Sequence, residues 1–312
     1  MKQRLVKLLL LSSIILIILY FLIPDKIKFR EVIIIKVNQT VAGRFINDQN
    51  KWVNWWPGRN KQDTNRDAKY FHNDFNYAVN RKMIHGDSVI IKSKSIHITS
   101  LLNIIPINSD SVAVQWRGLS ESEINPAKRI KNYLKSIKNE NSIEELLQSM
   151  KVFLEKKENV YGHFINQIQV SDTILVAKRY TSNSYPSTKE IYKLINTVRD
   201  YIYKAGVKET NYPMLHVTQN NIQFNTMVAI PVNTAITPNN EFLLKKMVPG
   251  KILVTDVRGG IYTINQAQKQ IELYMNEHLL IAPAIPFQSL ITDRSKEADT
   301  TKWITKIYYP IM

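Results

Sequence analysis

The polar side chains of this sequence form no recognisable catalytic or metal-binding motif. Six histidines are scattered along 312 residues without H-x-x-x-H spacing, and cysteine is absent. The lack of cysteine excludes disulfides, thiolate metal sites and cysteine nucleophiles. No G-x-S-x-G elbow, phosphate-binding loop or dinucleotide fingerprint is present. We therefore expect no catalytic residues, no metal and no cofactor.

Aromatic and amide side chains are the better candidates for a binding site. Aromatic residues next to helix ends and strands can either line a cavity or fill a core, and both interpretations remain open here. A glutamine amide offers two donors and one acceptor, which suits a hydroxyl or carbonyl group. The predicted ligand-binding residues are Gln288, Phe287, Tyr262, Trp303, Tyr309, Trp55 and Trp56.

The composition is that of a globular protein with an excess of basic residues. Hydrophobic residues make up 44% of the chain and charged residues 22%, and the length predicts about two domains. The net charge of +16 is spread along the chain, whereas nucleic-acid-binding proteins more often concentrate it on one element. No helix-turn-helix region is evident. We expect no direct binding of nucleic acid.

An apolar run from Leu8 to Ile23 follows three basic residues at the start of the chain. The run is shorter than the ~20 residues that span a bilayer, but residues 5–23 could cross if the flanking basic side chains snorkel. No small-residue cleavage pattern follows it. The segment therefore predicts a retained transmembrane anchor over residues 1–30, with residues 5–23 in the lipid bilayer. The expected location is a single-pass membrane protein, with a cytoplasmic N-terminus and extracytoplasmic domains.

Residues 31–158 predict a mixed α and β domain. A β-branched run from Val32 to Val37 indicates a strand, and residues 38–54 follow with helical spacing. Ser142 and Glu145 form a capping box in front of an apolar helical face. Between these helical regions lie three strand-like stretches: Ser88–Lys92, Ser95–Thr99 and Ser111–Trp116.

This order of strand, helices, antiparallel meander and long helix resembles the START-related superfamily, also called the polyketide-cyclase or SRPBCC fold. The resemblance rests on Val41-x-x-x-Phe45 and on Trp52-x-x-Trp55-Trp56-Pro57. It implies a curved sheet that grips the long helix around an apolar cavity. It does not imply catalysis, because the superfamily shares no catalytic residues.

The second half of the chain contains an internal repeat. Ile174–Val176 recurs as Ile252–Val254 at an offset of 78, and Thr226–Val232 aligns with Thr305–Ile311 at an offset of 79. Each copy predicts a strand, a helix and two strands, and a capping box at Ser187 starts the first helix. Two such copies predict one domain with pseudo-twofold symmetry and a groove between its halves.

The duplicated unit resembles the GyrI-like domain, which is also the effector-binding part of AraC- and MerR-type regulators. In such regulators a glutamate near the end of the domain receives cationic hydrophobic ligands. Here Gln288 stands at that position and Leu290 replaces a usual tyrosine, so the resemblance implies a ligand pocket without cation recognition or hydrolysis. The residues that carry the resemblance are Tyr185-Pro186-Ser187, Ala229-Ile230-Pro231-Val232, Gly260-x-Tyr262 with Ala267, Leu290-Ile291-Thr292-Asp293 and Trp303-x-Thr305-x-Ile307-x-x-Pro310.

The sequence thus predicts an α+β protein with three parts: a transmembrane helix (1–30), a helix-grip antiparallel sheet with a long C-terminal helix (31–158), and a duplicated β-α-β-β domain (159–312). The favoured function is non-enzymatic binding or sensing of a small hydrophobic or amphipathic molecule by a membrane-anchored protein. One alternative is a cyclase-like or hydrolase-like enzyme in which Gln288 or Tyr262 polarises the substrate. Another is a scaffold whose pockets are filled by its own side chains.

Overall fold

The computed structural model describes residues 11, 14, 15, 18, 20–58, 70–83, 86–94, 96–171, 174–220 and 222–312. The chain divides into two units, residues 1–156 and residues 157–312. Each unit contains one curled antiparallel sheet with helices. The protein is therefore of the α+β class, as the sequence predicts.

The first unit is built on a six-stranded sheet. Its strands follow the order β1-β6-β5-β4-β3-β2, so that successive strands from β2 to β6 pair as a meander and β1 pairs with β6. The strands are β1 (Lys26–Ile35), β2 (Tyr70–His72), β3 (Phe75–Met83), β4 (Gly86–Lys92), β5 (His97–Asn108) and β6 (Ser111–Glu121).

The helices of the first unit begin at asparagine caps. The side chain of Asn38 accepts a hydrogen bond from the amide of Val41 and starts α1, Gln39–Ile46, which a 3-10 turn follows at Gln49–Asn54. Asn125 caps the long helix α2, Pro126–Leu154, in which proline takes the first position. Proline suits this position because its fixed φ matches the helix and its missing N–H would have no partner there.

The predicted capping box at Ser142 is wrong, because Ser142 lies inside α2. Its hydroxyl donates to the carbonyl oxygen of Lys138, 2.9 Å away, which is the bond that serine makes within a helix. Glu145 instead binds His72, with 2.8 Å between Oε2 and Nε2. The start of α2 is fixed at Asn125, well before the point that the pattern indicated.

The predicted membrane anchor requires correction. No helix among the described residues has the length and apolar composition to cross a bilayer, which contradicts the single-pass location with a cytoplasmic N-terminus. The end of the apolar run belongs to the first unit: Ile23 is 5% exposed, and its carbonyl oxygen accepts a hydrogen bond from Arg129 of α2. Asp25 binds the same guanidinium at 2.7 Å. Residues 1–10, 12, 13, 16, 17 and 19 of the predicted anchor lie outside the described residues.

The second unit is built on an eight-stranded sheet with the order β11-β8-β10-β9-β13-β14-β12-β7. Its strands are β7 (Asn166–Gln169), β8 (Ile174–Ser182), β9 (Met214–Asn220), β10 (Gln223–Pro231), β11 (Leu243–Lys246), β12 (Lys251–Arg258), β13 (Phe287–Leu290) and β14 (Ile304–Ile311). Its helices are the short α3 (Lys157–Tyr161), then α4 (Thr188–Lys204) and α5 (Ile261–Glu277). The predicted capping box of α4 is confirmed, because both of its hydrogen bonds between Ser187 and Glu190 are present.

The repeat predicted from the sequence is larger than a four-element unit. In each half, the strand that precedes the long helix pairs with the last strand of the same half: β8 pairs with β10, and β12 pairs with β14. Each half also contributes an edge strand to the opposite half: β7 pairs with β12, and β11 pairs with β8. The repeated unit is therefore strand, strand, helix, strand, strand, and the two copies meet where β9 pairs with β13.

Strand register corrects the sequence alignment of the two copies by one residue. Val176 lies opposite Ile230, and Leu253 lies opposite Tyr309. Because Ile230 and Tyr309 are equivalent at the offset of 79, Val176 matches Leu253, which is 77 residues later and not 78. A shift of one residue moves every side chain of a strand to the other face, so the offset of 78 would have mixed the two faces of the sheet.

One face of the second sheet is covered by α4. A core of thirteen buried residues forms between this helix and the strands, and it includes Ile195, Val198, Val228 and Ile230, each fully buried. A separate group of Leu175, Ala177, Met214 and Ala229 packs together. These four residues alternate along their strands with residues of the first group, and they therefore lie on the opposite face of the sheet.

Candidate functional site

The face of the second sheet opposite α4 contains a cavity of about 610 Å³. This volume lies within the range of about 300–1,000 Å³ that is typical of small-molecule sites. Its floor is apolar and comes from neighbouring strands: Leu175, Met214, Met227, Ala229 and Phe287.

The connections between strands pass over this face. Four residues, Met247–Gly250, link β11 to β12, although five strands lie between these two in the sheet. A flat sheet would need a connection of about 29 Å at a strand spacing of about 4.8 Å. Five extended residue steps reach only about 17 Å, so the sheet must curl until its edges approach each other. The connection then covers part of the cavity, and the carbonyl oxygen of Gly250 accepts a hydrogen bond from the amide of Val170 at 3.0 Å.

Residues of both halves of the repeat line the cavity, but at one pair of positions in its floor the two halves carry side chains of different size. Met214 and Ala229 lie opposite each other on β9 and β10. The equivalent pair in the second half is Phe287 and Tyr308, which are stacked with 4.9 Å between ring centroids. The space bordered by that aromatic pair measures about 50 Å³. At this pair of positions the two halves have therefore diverged: the first half is open and the second half is filled.

The charged side chains among the described residues that line the cavity are all basic: Arg179, Lys245, Lys246 and Lys251. The register places Lys245 opposite Leu175, and Arg179 opposite Met227, so these two cations lie on the cavity face. No aspartate, glutamate, serine, threonine or tyrosine belongs to the described part of the lining. The cavity thus combines an apolar floor with positive charge.

One histidine also belongs to the lining. Nδ1 of His216 lies 2.6 Å from the carbonyl oxygen of Pro286. Because a carbonyl oxygen can only accept, Nδ1 carries the proton and a second proton would bind to Nε2. Burial lowers the pKa of His216, and the bond to Pro286 partly opposes this effect. The ring is therefore neutral at neutral pH.

The structure brings Phe287 to the cavity but turns Gln288 away from it. Gln288 lies opposite Leu215 of β9 and Ile307 of β14, and Leu215 belongs to the core beneath α4. The Gln288 side chain is 6% exposed, and its Oε1 has no hydrogen-bond partner among the described residues. It is therefore a buried residue of the opposite layer, neither a solvent-facing strand residue nor part of the cavity.

Trp303 contacts a cation that the chain itself provides. Its indole N–H donates to the carbonyl oxygen of Glu297 at 2.9 Å, and its ring centroid lies 4.7 Å from the guanidinium carbon of Arg294. Arg294 is 8% exposed and donates to Oγ1 of Thr305 at 2.7 Å. Burial lowers the pKa of this arginine. No feature of the sequence pattern indicated that an arginine would be buried here.

Tyr309 and Tyr262 also lie outside the cavity. The hydroxyl of Tyr309 donates to Oε1 of Glu272 in α5 at 2.9 Å, and burial, followed by this contact, raises the pKa of Tyr309. Tyr262 is 75% exposed in the first turn of α5. The residues predicted for the second half are thus dispersed over both faces of the sheet.

Trp55 and Trp56 are core residues of the first unit. They are 2% and 3% exposed, and they surround Trp52, whose ring is stacked on that of Trp56 with 5.5 Å between centroids. Their indole N–H groups donate to the carbonyl oxygens of Phe45 and Phe71, at 3.3 and 3.0 Å. Both tryptophans therefore fill space and saturate backbone acceptors within their own unit.

The described residues contain no group of three or more histidines and carboxylates that could hold a metal ion. Apart from Phe287, the residues that line the cavity were missed by sequence reasoning because aliphatic side chains and single lysines are common. The one signal available was the contrast between Ala229 and Tyr308 at equivalent positions of the repeat, which indicates unequal filling of the two halves.

Comparison with known proteins gives structural neighbours but no family. No family model matches the chain, and no curated protein matches its sequence. The C-terminal domain of EcmrR is 15% identical, with a TM-score of 0.42, and the match covers 48% of this chain and 98% of that domain. SAV2435 bound to tetraphenylphosphonium is 14% identical, with a TM-score of 0.32, and the match covers 48% and 94%.

Two further matches differ in what their names describe. A hydrolase from Listeria innocua is 10% identical, with a TM-score of 0.36, over 47% of this chain and 91% of that chain. EcmrR in a complex with DNA is 17% identical, with a TM-score of 0.43, over 59% and 70%. All four TM-scores are too low to establish a common function, so the proposals below rest on the strand topology and the cavity.

Proposed function

We propose that residues 157–312 bind a small amphipathic molecule in the cavity on the face of the sheet opposite α4. The observation that carries this proposal is the cavity of about 610 Å³ bordered by Met214 and Ala229, because the equivalent pair in the second half is filled by the stacked rings of Phe287 and Tyr308. A pocket that served only as packing would be filled in both halves, because empty apolar space costs stability. The duplicated topology, which resembles GyrI-like effector-binding domains, supports the same proposal.

Binding without catalysis is favoured by the lining itself. Most hydrolases use a hydroxyl, thiol or carboxylate side chain as nucleophile or base, and none of these groups is found among the described residues that line the cavity. His216 is the one histidine in that part of the lining, burial lowers its pKa, and one of its nitrogens is bound to the carbonyl oxygen of Pro286.

For the first unit we propose an SRPBCC-like helix-grip domain. The chain order of β1, α1, the 3-10 turn, five meander strands and the long α2 supports this proposal, as do the contacts of α2 with β1 and β6. Because Trp55 and Trp56 are buried in its core, they are assigned no ligand here.

The test is a titration of the full chain with N-phenyl-1-naphthylamine, an uncharged apolar dye that fluoresces when bound. We expect saturable binding of one dye per chain, and native mass spectrometry to show the same stoichiometry. Ala229→Leu, which intrudes into the cavity, should weaken binding at least threefold. Thr218→Leu on the exposed part of β9 is the matched control and should leave it unchanged. Linear, non-saturating fluorescence, or equal affinities of the two variants, would refute the proposal.

A further inference from the structure

The cavity carries positive charge that the described residues do not neutralise. Arg179 and Lys245 lie on the cavity face of β8 and β11, and neither makes an ion pair within the described part of the chain. The neighbouring Lys178, which faces the other side of the sheet, is paired with Glu241 at 2.8 Å. Among the residues that the structure describes, acidic partners are thus provided on the opposite face but not in the cavity.

In the second half of the repeat, the positions equivalent to Arg179 and Lys245 carry no unpaired positive charge among the described residues. Arg179 is equivalent to Asp256, and Met227 is equivalent to Lys306, at the offsets of 77 and 79. Asp256 and Lys306 lie opposite each other and form an ion pair at 3.5 Å. Lys245 is equivalent to Ile168, which lies opposite Ile252. The filled half therefore balances its charges, whereas the open half retains two cations beside apolar space.

From this geometry we infer that the ligand is an anionic amphiphile, with an apolar tail and a single carboxylate, sulfate or similar head group. This inference rests on the proposed binding function. The tail contacts Leu175, Met214, Met227 and Ala229 of the floor. The head group accepts hydrogen bonds from Arg179 or from Lys245, which the register places four residues apart along β8, and the other cation adds electrostatic attraction. Charge-assisted hydrogen bonds of this kind are stronger than neutral ones. A lipophilic cation in the same cavity would be repelled, because none of the described lining side chains carries a negative charge.

The test uses three competitors that share a ten-carbon tail: decanoate, decanol and decyltrimethylammonium, all below their micelle-forming concentrations. Each displaces N-phenyl-1-naphthylamine from the full chain at low salt. We expect decanoate to compete at a concentration at least tenfold below that of decyltrimethylammonium, with decanol between them. Added salt should reduce this preference, because ionic strength screens partly exposed charges.

Two variants then assign the preference to its residues. Arg179→Gln/Lys245→Gln should bring decanoate and decyltrimethylammonium within about threefold of each other, with decanol on the same variant as the uncharged reference. The control Arg258→Gln/Lys208→Gln removes the same charge from exposed residues outside the cavity lining, and should keep the preference.

The outcomes separate the two proposals. Saturable dye binding with equal competition by the three compounds overturns the anionic inference and leaves the binding function standing. The same preference in the wild type and in the Arg179/Lys245 variant also overturns it, because the preference would then come from overall charge. Failure of the dye and of all three competitors to bind refutes the binding function itself.

Discussion

Copying the filled half of the repeat into the open half should close the cavity without unfolding the protein. The change is Met214→Phe together with Ala229→Tyr, which recreates the cross-strand pair formed by Phe287 and Tyr308. Both backbone positions are already strand residues with side chains on the same face, so the new rings can stack as the native pair does at 4.9 Å.

The expected magnitude follows from the area that the new rings bury. If they remove about 100 Å² of apolar surface from water, the gain at about 25 cal/mol per Å² is about 2.5 kcal/mol. A stacked aromatic pair adds about 0.5–1.5 kcal/mol, and fixing the new side-chain rotamers costs about 1–2 kcal/mol. The net stabilisation is about 1–3 kcal/mol, or a rise in Tm of roughly 2–12 °C for a unit of this size.

The assay combines thermal unfolding with dye titration on the same protein. The double variant should unfold at or above the wild-type temperature and bind N-phenyl-1-naphthylamine at least tenfold more weakly. Thr218→Tyr adds an aromatic ring on the exposed part of β9 and should change neither property. Wild-type dye affinity in a folded double variant would show that the dye binds elsewhere. A clear fall in Tm would show that the space is already filled, because overpacking costs about 1–3 kcal/mol.

Four shorter predictions concern the rest of the molecule. Burial lowers the pKa of His216, so the stability that its neutral ring contributes is lost as the pH falls below the ordinary histidine pKa of 6.5. Protonation of the ring adds a positive charge to the cavity lining, so decyl sulfate, which stays ionised, should bind more tightly as the pH falls through the lowered pKa, measured by fluorescence competition. His216→Gln should abolish this change. Trp52→Ala should lower the free energy of unfolding by about 3–5 kcal/mol in urea denaturation, because a fully buried indole is lost; a loss below about 1 kcal/mol would contradict the packing described here. Desolvation raises the pKa of Asp87 above 3.8, so the stability that its protonated form contributes is lost as the pH rises through the raised pKa. Asp87→Asn should therefore raise the Tm at pH 7 but not at pH 3. Equal Tm shifts at both pH values would contradict the raised pKa of Asp87. Residues 157–312 expressed alone should unfold cooperatively and bind the dye like the full chain, because the eight-stranded sheet and the cavity lie within them. Loss of cooperative unfolding would show that the two units share a core.

Local sequence signals determined the features that depend on a few neighbouring residues. The capping box at Ser187 starts α4 because both of its bonds form within one helical turn. Val32–Ile35 of the β-branched run lie within β1, which ends before Lys36 and Val37. The two copies of the repeat follow from similar residues at a nearly constant offset. The sequence also predicted the α+β class correctly, since it depends on these periodicities alone.

Tertiary structure decided what depends on register and on distant contacts. The capping-box pattern at Ser142 fits a helix start, but a preceding segment capped at Asn125 continues through it as one helix. The apolar run before Pro24 resembles an anchor, but Ile23 is held by Arg129, 106 residues away in the chain. Neither of these outcomes can be read from a short window of sequence.

The candidate site shows the same division most clearly. The sequence correctly indicated the segment around Phe287. It could not place Phe287 in the cavity and Gln288 beneath the helix, because neighbouring side chains of a strand point to opposite faces of the sheet. Only the strand pairing decides which of the two residues faces the cavity. The part of the cavity floor at Met214 and Ala229 depends on the same register, because these residues are 15 positions apart in the chain and face each other only through the pairing of β9 with β10. Residue types alone determined that the chain would form two apolar faces, and the curl and register of the second sheet decided which of them would remain open.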